Sequence, residues 1–378
     1  MRVLRVITLL ELHGGAETST LIEAEELVAR GCEVMLVTLS GPATADVVAR
    51  MDAAGVQYRH VEGGFGAQAR ALRRLIRSWR PDVLHAIIFR AEIVAAAANA
   101  GLSVPLLVSL VNMQYGPDAV GEAPSPRRLE LVRRFESFVL RHGVDHFHCL
   151  TAAGSEHSIE HLRIRVDRIT VIPRGRRRRD LQADATTVDA LRVTLAPAGE
   201  PLVVNVGRQE LQKGQDLLLG VMDRIHQAGR THRLAIAGRR GGQSAALTAQ
   251  VERLHLAASV DMLGVRDDVS TLLAAATVVC VTSRWEGLGG AIVEALGVGA
   301  PIVAFAVPAV AEVIGDAGIL IPPFDVDAMA RAVIELSEDE ARRDELARRG
   351  RVRFDSRFDI AGVIDRIESL YDQLASTR

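Results

Sequence analysis

The sequence predicts an α/β protein made of two doubly wound, Rossmann-like domains. Three observations support this fold class. The chain has 378 residues, enough for two domains of about 100–200 residues each. Short apolar runs rich in β-branched residues alternate with longer stretches of helical period, the pattern of parallel strands joined by crossover helices. This alternation is interrupted over residues 174–200 and restarts at Pro201.

Each half contributes its own set of elements. The first half predicts helices that include 16–30 and 126–141, and strands at LRVITLL, EVMLVTL, DVLHAII, PLLVSLV and HFHCL. The second predicts helices that include 215–229, 244–256 and 290–296, and strands at PLVVNVG, HRLAIAG, VDMLG, TVVCVTS and PIVAFA. We therefore predict an N-terminal domain over residues 1–180, a linker within 174–200 and a C-terminal domain over 190–358. The last helix, about 360–378, is predicted to pack back on the first domain.

Composition limits the class of partner and the compartment. The net charge of −2 provides no global field toward nucleic acid or an anionic membrane, and no nucleic-acid partner is expected. Cys32, Cys149 and Cys280 lie in apolar stretches without C-x-x-C spacing, as expected of reduced thiols. No signal peptide and no apolar run of about 18 residues is visible. These features predict a cytoplasmic protein, with a peripheral position on the inner face of the membrane as the alternative.

Ligands of doubly wound sheets bind at the carboxyl ends of the strands, so the loops that follow strands are the places to search. After the first strand, Gly14 and Gly15 precede a helix and would let backbone amides approach an anion. A purely structural tight turn explains the same pair equally well. After PLVVNVG, Arg208 and Lys213 place two cations in a loop closed by Gly214, which suits a diphosphate. Taken singly, each cation also fits a solvated surface charge.

The stretch SRWEGLGGAIVEALGVGAP places two glutamates around a glycine-rich turn. Glu294 lies about one turn into a helix predicted to begin near Gly290, and Glu286 lies in the preceding loop. Carboxylates accept hydrogen bonds from sugar hydroxyls, and the helix start suits a phosphate. A nucleoside diphosphate sugar carries both groups. Helix capping by Glu286 with a solvated Glu294 is the structural alternative.

Together, these segments resemble the retaining GT-B glycosyltransferases of glycosyltransferase family 4 (glycosyl transferases group 1). The resemblance covers nearly the whole chain, and its most specific element is the Glu-x7-Glu spacing from Glu286 to Glu294. It implies two Rossmann-like domains that face a central cleft. It also implies transfer of a sugar from a nucleoside diphosphate sugar to an acceptor hydroxyl, with no metal and no cofactor. The acceptor is unknown, with an anionic, lipid-linked or polysaccharide precursor as the expected class.

The resemblance also implies roles for individual residues. Arg208 and Lys213 would bind the diphosphate and neutralise the leaving group, and Glu286 would complete the catalytic set by holding the transferred sugar. Glu294 would hold the ribose, and the base would lie near Val265 and Arg266. The backbone of Gly14, Gly15, Leu288, Gly289 and Gly290 would approach the phosphates.

The chain departs from the family pattern at two places. A catalytic-site histidine at the end of the fourth strand is replaced by Val111 and Asn112, and Asn112 cannot act as a base near neutral pH. Pro308 and Ala309 stand where a Gly-Gly turn is usual. Asn112 and Arg174 are therefore kept as acceptor-side candidates.

Several other motifs have a simpler interpretation. Asp325 and Asp327 of FDVDA mimic a metal motif but precede a helix, where capping is expected. His146 and His148 share a strand face without a second ligand cluster, which favours a structural or acceptor-side role. Arg174 and the four arginines 176–179 are interpreted either as a solvated linker or as a site for an anionic acceptor.

The helix SPRRLELVRRFESFVLRHG is amphipathic and basic. Its apolar residues fit either core packing or a membrane-facing surface, so both interpretations stay open. The residues that suggest this are Leu129, Val132, Phe135 and Val139, alternating with Arg127, Arg128, Arg133 and Arg134.

Two other functions are alternatives to sugar transfer. A nucleotide-sugar epimerase of the same architecture would need catalytic acids and bases, which Asn112 does not supply. A basic adaptor with a vestigial cleft would bind nucleic acid or membrane through the arginine run. The intact set of Arg208, Lys213, Glu286 and Glu294 favours the transferase over the adaptor.

Overall fold

A computed structural model describes residues 1–10, 15–116 and 125–377 of the chain. The chain divides into two compact units, and the second is inserted in sequence into the first. Unit 1 comprises Met1–Gly175 together with Ile360–Arg378, and unit 2 comprises Arg176–Asp359. The predicted domains were 1–180 and 190–358, with the last helix assigned to the first.

Unit 1 is built on a parallel sheet of seven strands in the order β3-β2-β1-β4-β5-β6-β7. All six strand pairings in this sheet are parallel. Its strands and helices are β1 Arg2–Ile7, α1 Gly15–Ala29, β2 Glu33–Thr38, α2 Ala45–Ala53, β3 Gln57–His60, α3 Phe65–Trp79, β4 Val83–Ile87, α4 Phe89–Asn99, β5 Leu106–Leu110, α5 Pro126–Gly143, β6 His146–Cys149, α6 Ala152–Leu162 and β7 Ile169–Val171, with the last helix, α15, at Ile360–Ser376.

The last helix completes one of the two apolar layers of unit 1. Ile364, Ile367 and Tyr371 of α15 are buried with Leu21 and Leu27 of α1, against one face of the sheet. A second buried cluster lies on the other face, between the sheet and helices α3, α4 and α5. The helical period of IAGVIDRIESLYDQL thus places its apolar stripe in the core.

Unit 2 repeats this architecture with a six-stranded parallel sheet in the order β10-β9-β8-β11-β12-β13. Its elements are α7 Ala185–Leu195, β8 Leu202–Val206, α8 Gln215–Gln227, β9 Arg233–Ala237, α9 Ser244–Arg253, β10 Val260–Gly264, α10 Val269–Ala275, β11 Val278–Val281, α11 Gly290–Val298, β12 Ile302–Phe305, α12 Pro308–Ile314, β13 Ile319–Ile321, α13 Val326–Glu338 and α14 Glu340–Arg357.

The fold class predicted from the sequence is confirmed, since both units are parallel α/β sheets of Rossmann type. The sequence-based prediction missed the short strands β3, β7 and β13, which lie at sheet edges. The linker assignment over 174–200 was wrong in part, because Ala185–Leu195 forms a helix capped by the Asp184 side chain. None of the described helices is long and apolar enough to span a bilayer.

Candidate functional site

In unit 2, strand order reverses between β8 and β11, which lie side by side although they are not consecutive. Connections leave these two strands in opposite directions, which opens a crevice at their carboxyl ends. The loop after β8 carries Arg208 and Lys213, and the loop after β11 carries Glu286. Parallel topology thus brings two segments some 70 residues apart to the same sheet edge.

The loop after β8 is fixed by a glycine. A short 3-10 turn, Leu211–Lys213, ends at Gly214, whose φ of 61° is left-handed. A Cβ on Gly214 would lie 1.9 Å from the carbonyl oxygen of Thr282, so no larger residue fits. The hydroxyl of Thr282 donates a 3.2 Å hydrogen bond to the carbonyl oxygen of Lys213. The Lys213 backbone is therefore held against the end of β11.

Lys213 and Glu286 meet at this edge. The Lys213 Nζ lies 2.5 Å from Glu286 Oε1, and the Ser283 hydroxyl donates to the same oxygen at 2.7 Å. Glu286 is 6% exposed, so its carboxylate is held by these donors rather than by bulk water. Helix α11 begins without a side-chain hydrogen bond to its first amides, and the Glu286 carboxylate is bonded to Lys213 and Ser283.

The two loops are also bonded to each other through a pair that sequence reasoning missed. Arg284 donates to both oxygens of Asp216, at 2.8 and 2.7 Å. The Gln212 side-chain amide donates 3.0 Å to the carbonyl oxygen of Trp285. These contacts fix the loops on either side of the Lys213 and Glu286 pair. Nothing in local sequence indicates them, because each links residues about 70 positions apart.

Glu294 lies on α11, and its partner is Arg176. The Arg176 Nε donates 2.8 Å to Glu294 Oε1, and the arginine side chain is only 6% exposed. The Arg176 guanidinium also lies 2.9 Å from where a Cβ of Gly290 would be, so Gly290 leaves room for it. The alternative in which Glu294 is only a solvated helix charge is therefore wrong. A solvated linker is likewise wrong for Arg174 and Arg176, which are both 5% exposed.

The start of α11 contributes backbone amides to the same place. Gly289 has a φ of 82°, and Leu288 before it is buried. The first amides of a helix have no acceptor within the helix and carry its positive end. A pocket at this point is lined by residues that include Asn205, Lys213, Ser283, Glu286, Gly289 and Ile292.

A buried amide network supports this pocket. Asn205 donates 2.9 Å to the carbonyl oxygen of Cys280, which links β8 to β11. Gln215 donates to the Asn205 side-chain oxygen at 3.1 Å and to the carbonyl oxygen of Gly207 at 3.0 Å. These two side chains fix the spacing of the strand ends from which Arg208 and Glu286 extend. Sequence reasoning missed them.

Arg208, Val265 and Arg266 are the other side chains predicted for the site in unit 2. Arg208 is exposed, and no described side chain is paired with it. Val265 is 48% exposed in the loop after β10. Arg266 bonds both oxygens of Asp268, at 2.7 and 2.5 Å, and this contact raises the pKa of Arg266 and lowers that of Asp268. The guanidinium of Arg266 is therefore engaged locally.

Unit 1 contains the predicted residues Gly14, Gly15, Asn112 and Arg174. Gly14 lies outside the described residues, and Gly15 is the first residue of α1. Arg174 Nη1 donates 3.4 Å to the carbonyl oxygen of Gly15, so these two predicted residues do come together. The strand order of this sheet reverses between β1 and β4, and α1 begins shortly after β1.

Asn112 is exposed in the loop after β5. The strand before it is the fifth and not the fourth, because the edge strand β3 was not recognised in the sequence. Ile88, at the end of β4, has a φ of 75°, which is strained for a β-branched residue. Such strain concentrates at functional sites, yet a branched residue at positive φ carries no sequence signal.

His148 and Asp325, which belong to the motifs given a simpler interpretation in the sequence, have structural roles. His148 Nδ1 is 2.8 Å from the Ser109 hydroxyl, and its Nε2 is 2.6 Å from the carbonyl oxygen of Ile172. Asp325 accepts a 2.8 Å hydrogen bond from the amide of Ala328, which confirms the predicted helix cap. Within residues 1–10, 15–116 and 125–377, no group of three or more His, Cys, Asp or Glu side chains could hold a metal ion. Pro308 occupies the first turn of α12, a position proline favours.

Two family models match the chain. "Glycosyl transferase 4-like domain" matches residues 14–175, and "Glycosyl transferases group 1" matches residues 189–353. Together they span most of both units, and the second includes Arg208, Lys213, Glu286 and Glu294.

Individual relatives agree with the family models. The O-antigen chain mannosyltransferase B of Escherichia coli is 34% identical over 119 residues, 31% of each chain. The glycogen synthase of Mycobacterium tuberculosis is 27% identical over 287 residues, 75% of this chain and 66% of the relative. The chain thus spans about a third to two thirds of the length of these relatives.

Solved structures share the fold. The crystal structure of Anabaena HepE in complex with UDP and glucose superposes with a TM-score of 0.84, at 21% identity, over 98% of this chain and 99% of that one. This likeness confirms the predicted GT-B fold. On the two matching family models and this fold, the chain belongs to the group 1 glycosyl transferases of glycosyltransferase family 4, a family of retaining, nucleotide-sugar-dependent enzymes.

Proposed function

We propose that this protein transfers a sugar from a nucleoside diphosphate sugar to a hydroxyl group of an acceptor, with retention of configuration. The observation that carries the proposal is the contact between Lys213 and Glu286 at the strand-order reversal of unit 2, beside the start of α11. One cation and one carboxylate at a helix N-terminus match the two chemical halves of such a donor, its phosphates and its hydroxyls.

The diphosphate would bind to Lys213, Arg208 and the amides at Gly289 and Gly290. Lys213 has three donor hydrogens, so its ammonium can keep Glu286 and bind a phosphate oxygen at the same time. Arg208 is exposed and can rotate a planar guanidinium toward the second phosphate. Both cations would stabilise the negative charge that grows on the diphosphate as it leaves.

The hydroxyl groups of the donor would bind to the two glutamates. Glu286 would accept hydrogen bonds from the transferred sugar, since Ser283 and Lys213 already fix its carboxylate. Glu294 would accept from the ribose, and its bond to Arg176 leaves a second carboxylate oxygen for that role. We assign Arg176 as a positioning residue that acts through Glu294. The base would lie against exposed Val265 in the loop after β10.

In the transfer step, the bond between the sugar C1 and the β-phosphate oxygen breaks, and the electron pair leaves with the diphosphate. The acceptor oxygen forms a bond to C1 on the same face. The acceptor proton passes to the departing phosphate oxygen as the new bond forms. Asn112 and Arg174 of unit 1 are our candidates for recognition of the acceptor.

The first test is donor binding. Thermal unfolding would be followed with a panel of nucleoside diphosphates and nucleotide sugars, starting with UDP-glucose because crystal structures of HepE hold UDP and UDP-glucose. A ligand at 100 times its Kd should stabilise the folded protein by about 2.7 kcal/mol. Glu294→Gln should weaken that shift for the same ligand. If no nucleotide raises the unfolding temperature, the proposal fails.

The second test separates transfer from epimerisation. The protein would be incubated with its stabilising donor, carrying a labelled sugar, with and without cell extract as a source of acceptor. Transfer predicts nucleoside diphosphate release that increases with extract, and label in a larger product. A labelled sugar isomer in the absence of extract would favour the epimerase.

A further inference from the structure

Helix α5 in unit 1 exposes a stripe of large apolar side chains. Leu131, Phe135 and Phe138 are 67%, 53% and 63% exposed. Their spacing of four and then three residues places them side by side on one face of the helix. A large exposed apolar patch on one face marks a surface that contacts something else.

The opposite side of α5 packs against the rest of unit 1. Glu136, Ser137 and Leu140 are buried there, and Leu129 and Val139 pack against the core of unit 1. The Ser137 hydroxyl donates 2.6 Å to the carbonyl oxygen of Leu162, and Glu136 accepts a hydrogen bond from the Tyr115 hydroxyl. The helix is therefore fixed by one side. Phe135, one of the four apolar residues by which the sequence indicates an amphipathic helix, lies on the exposed side.

The exposed side of α5 carries a net positive charge. At 100° per residue, Arg127, Arg134 and Arg141 flank the apolar stripe on one edge, and Arg128 flanks it on the other. All four are exposed. The helix has two acidic residues: Glu136 is buried, and Glu130 is paired with Arg133 and Arg134, so the exposed side keeps a net positive charge. The chain as a whole carries a net charge of −2, so this positive face is local.

We propose that α5 lies flat on an anionic phospholipid surface, with Leu131, Phe135 and Phe138 inserted among the lipid chains and the flanking arginines at the headgroups. Exposed apolar residues at the centre of a basic face suit the interface of a bilayer. A nucleic acid would use the arginines but would leave the apolar stripe in water. With 18 residues, the helix offers about 27 Å of surface. This binding does not depend on the proposed donor chemistry.

The experiment measures binding of the full chain to vesicles by co-sedimentation and by flotation. Phosphatidylcholine vesicles are compared with vesicles that also contain phosphatidylglycerol. The wild-type protein should bind the anionic vesicles and lose most of that binding at high salt, because headgroup attraction is screened. Replacing Arg127, Arg128, Arg134 and Arg141 with Gln should weaken binding about a hundredfold or more, at about fivefold for each charge.

A second variant tests insertion. Leu131→Ser, Phe135→Ser and Phe138→Ser together should weaken binding at least tenfold, while the unfolding temperature stays close to that of the wild type, because all three side chains are exposed. The matched control is Val193→Ser with Val352→Ser, which removes exposed apolar residues outside this helix and should change nothing.

Three results would overturn the proposal. The first is equal binding to neutral and anionic vesicles, or no binding to either. The second is unchanged binding by the triple serine variant. The third is a wild-type dimer, seen by sedimentation, that the triple variant converts to a monomer, since the stripe would then be an interface between two copies of this chain.

Discussion

The two units bury polar side chains in different places. In unit 1, His85, Ser109 and His148 lie within neighbouring strands and form one buried chain of hydrogen bonds, in which the Ser109 hydroxyl contacts both rings. In unit 2, Lys213 and Glu286 lie in the loops beyond the strand ends. Burial and hydrogen bonding alone therefore do not identify a ligand site. Position relative to the carboxyl ends of the strands separates the two cases.

The buried environment of His85 and His148 in unit 1 fits a structural role for both side chains. Burial lowers the pKa of His148 to about 4, despite the hydrogen bond from its ring to the carbonyl of Ile172, and burial likewise lowers the pKa of His85. Both rings are neutral near pH 7. The Tyr371 hydroxyl of α15 bonds the Nδ1 of His85 at 2.6 Å. The chain of bonds thus joins the central strands to the last helix.

The largest effect is expected at Lys213. Lys213→Ala should lower kcat/KM for sugar transfer about 10²–10³-fold, because it removes a charge that we propose stabilises the leaving diphosphate. It should also lower stability, since Glu286 is left buried without its cation. The double variant Lys213→Ala with Glu286→Gln serves as the control. It should recover stability in urea unfolding without recovering activity; recovery of both would place the site elsewhere.

Gly214→Ala tests whether the close approach of the two loops in unit 2 is required. The alanine Cβ would clash with the carbonyl of Thr282, in addition to the strain of a left-handed φ. We expect a loss of about 2–5 kcal/mol in the free energy of unfolding. Gly229→Ala is the matched control at the other end of α8, with a φ of 72° and open space around it. It should cost about 1–2 kcal/mol, and equal losses at both sites would rule out the clash.

Sequence period was sufficient to predict the class of the fold, because central strands such as Val83–Ile87 and Val278–Val281 are buried and mostly apolar. Edge strands such as Gln57–His60 alternate between exposed and partly buried residues, and they were missed. In the candidate site, Lys213, Glu286 and Glu294 were found by motif. Arg176 was not, because its contact with Glu294 joins residues 118 positions apart.

The next prediction concerns a buried acid in unit 1. Burial raises the pKa of Glu136 to about 7, partly offset by the hydrogen bond from Tyr115. Folded Glu136 thus binds a proton more tightly than unfolded Glu136, whose pKa is about 4.3. The stability of the wild type relative to Glu136→Gln should fall as the pH rises from 5 to about 7, by up to about 1.4 kcal/mol per pH unit, and then level off.

Glu130→Gln is the control on the same helix. Hydrogen bonds from Arg133 and then Arg134 lower the pKa of Glu130 to about 2. Its contribution to stability is lost only as the pH falls below the unfolded value, so the difference between wild type and Glu130→Gln should be flat from pH 5 to 8. Urea unfolding over this range measures both variants. Parallel curves for wild type and Glu136→Gln would show that burial does not perturb Glu136.

The smallest effects are expected from two serine variants, one in each unit. Each unit has a buried serine within its polar cluster, so the same substitution can be compared in both. Ser109→Ala leaves two buried ring nitrogens without the hydroxyl, and should lower the free energy of unfolding by about 1–3 kcal/mol with kcat/KM unchanged. Ser283→Ala removes one of the two donors to Glu286 Oε1 and leaves Lys213, and should lower kcat/KM several-fold because the carboxylate is less well positioned. If Ser109→Ala reduced turnover as much as Ser283→Ala, position at the strand ends would not distinguish a reacting cluster from a structural one.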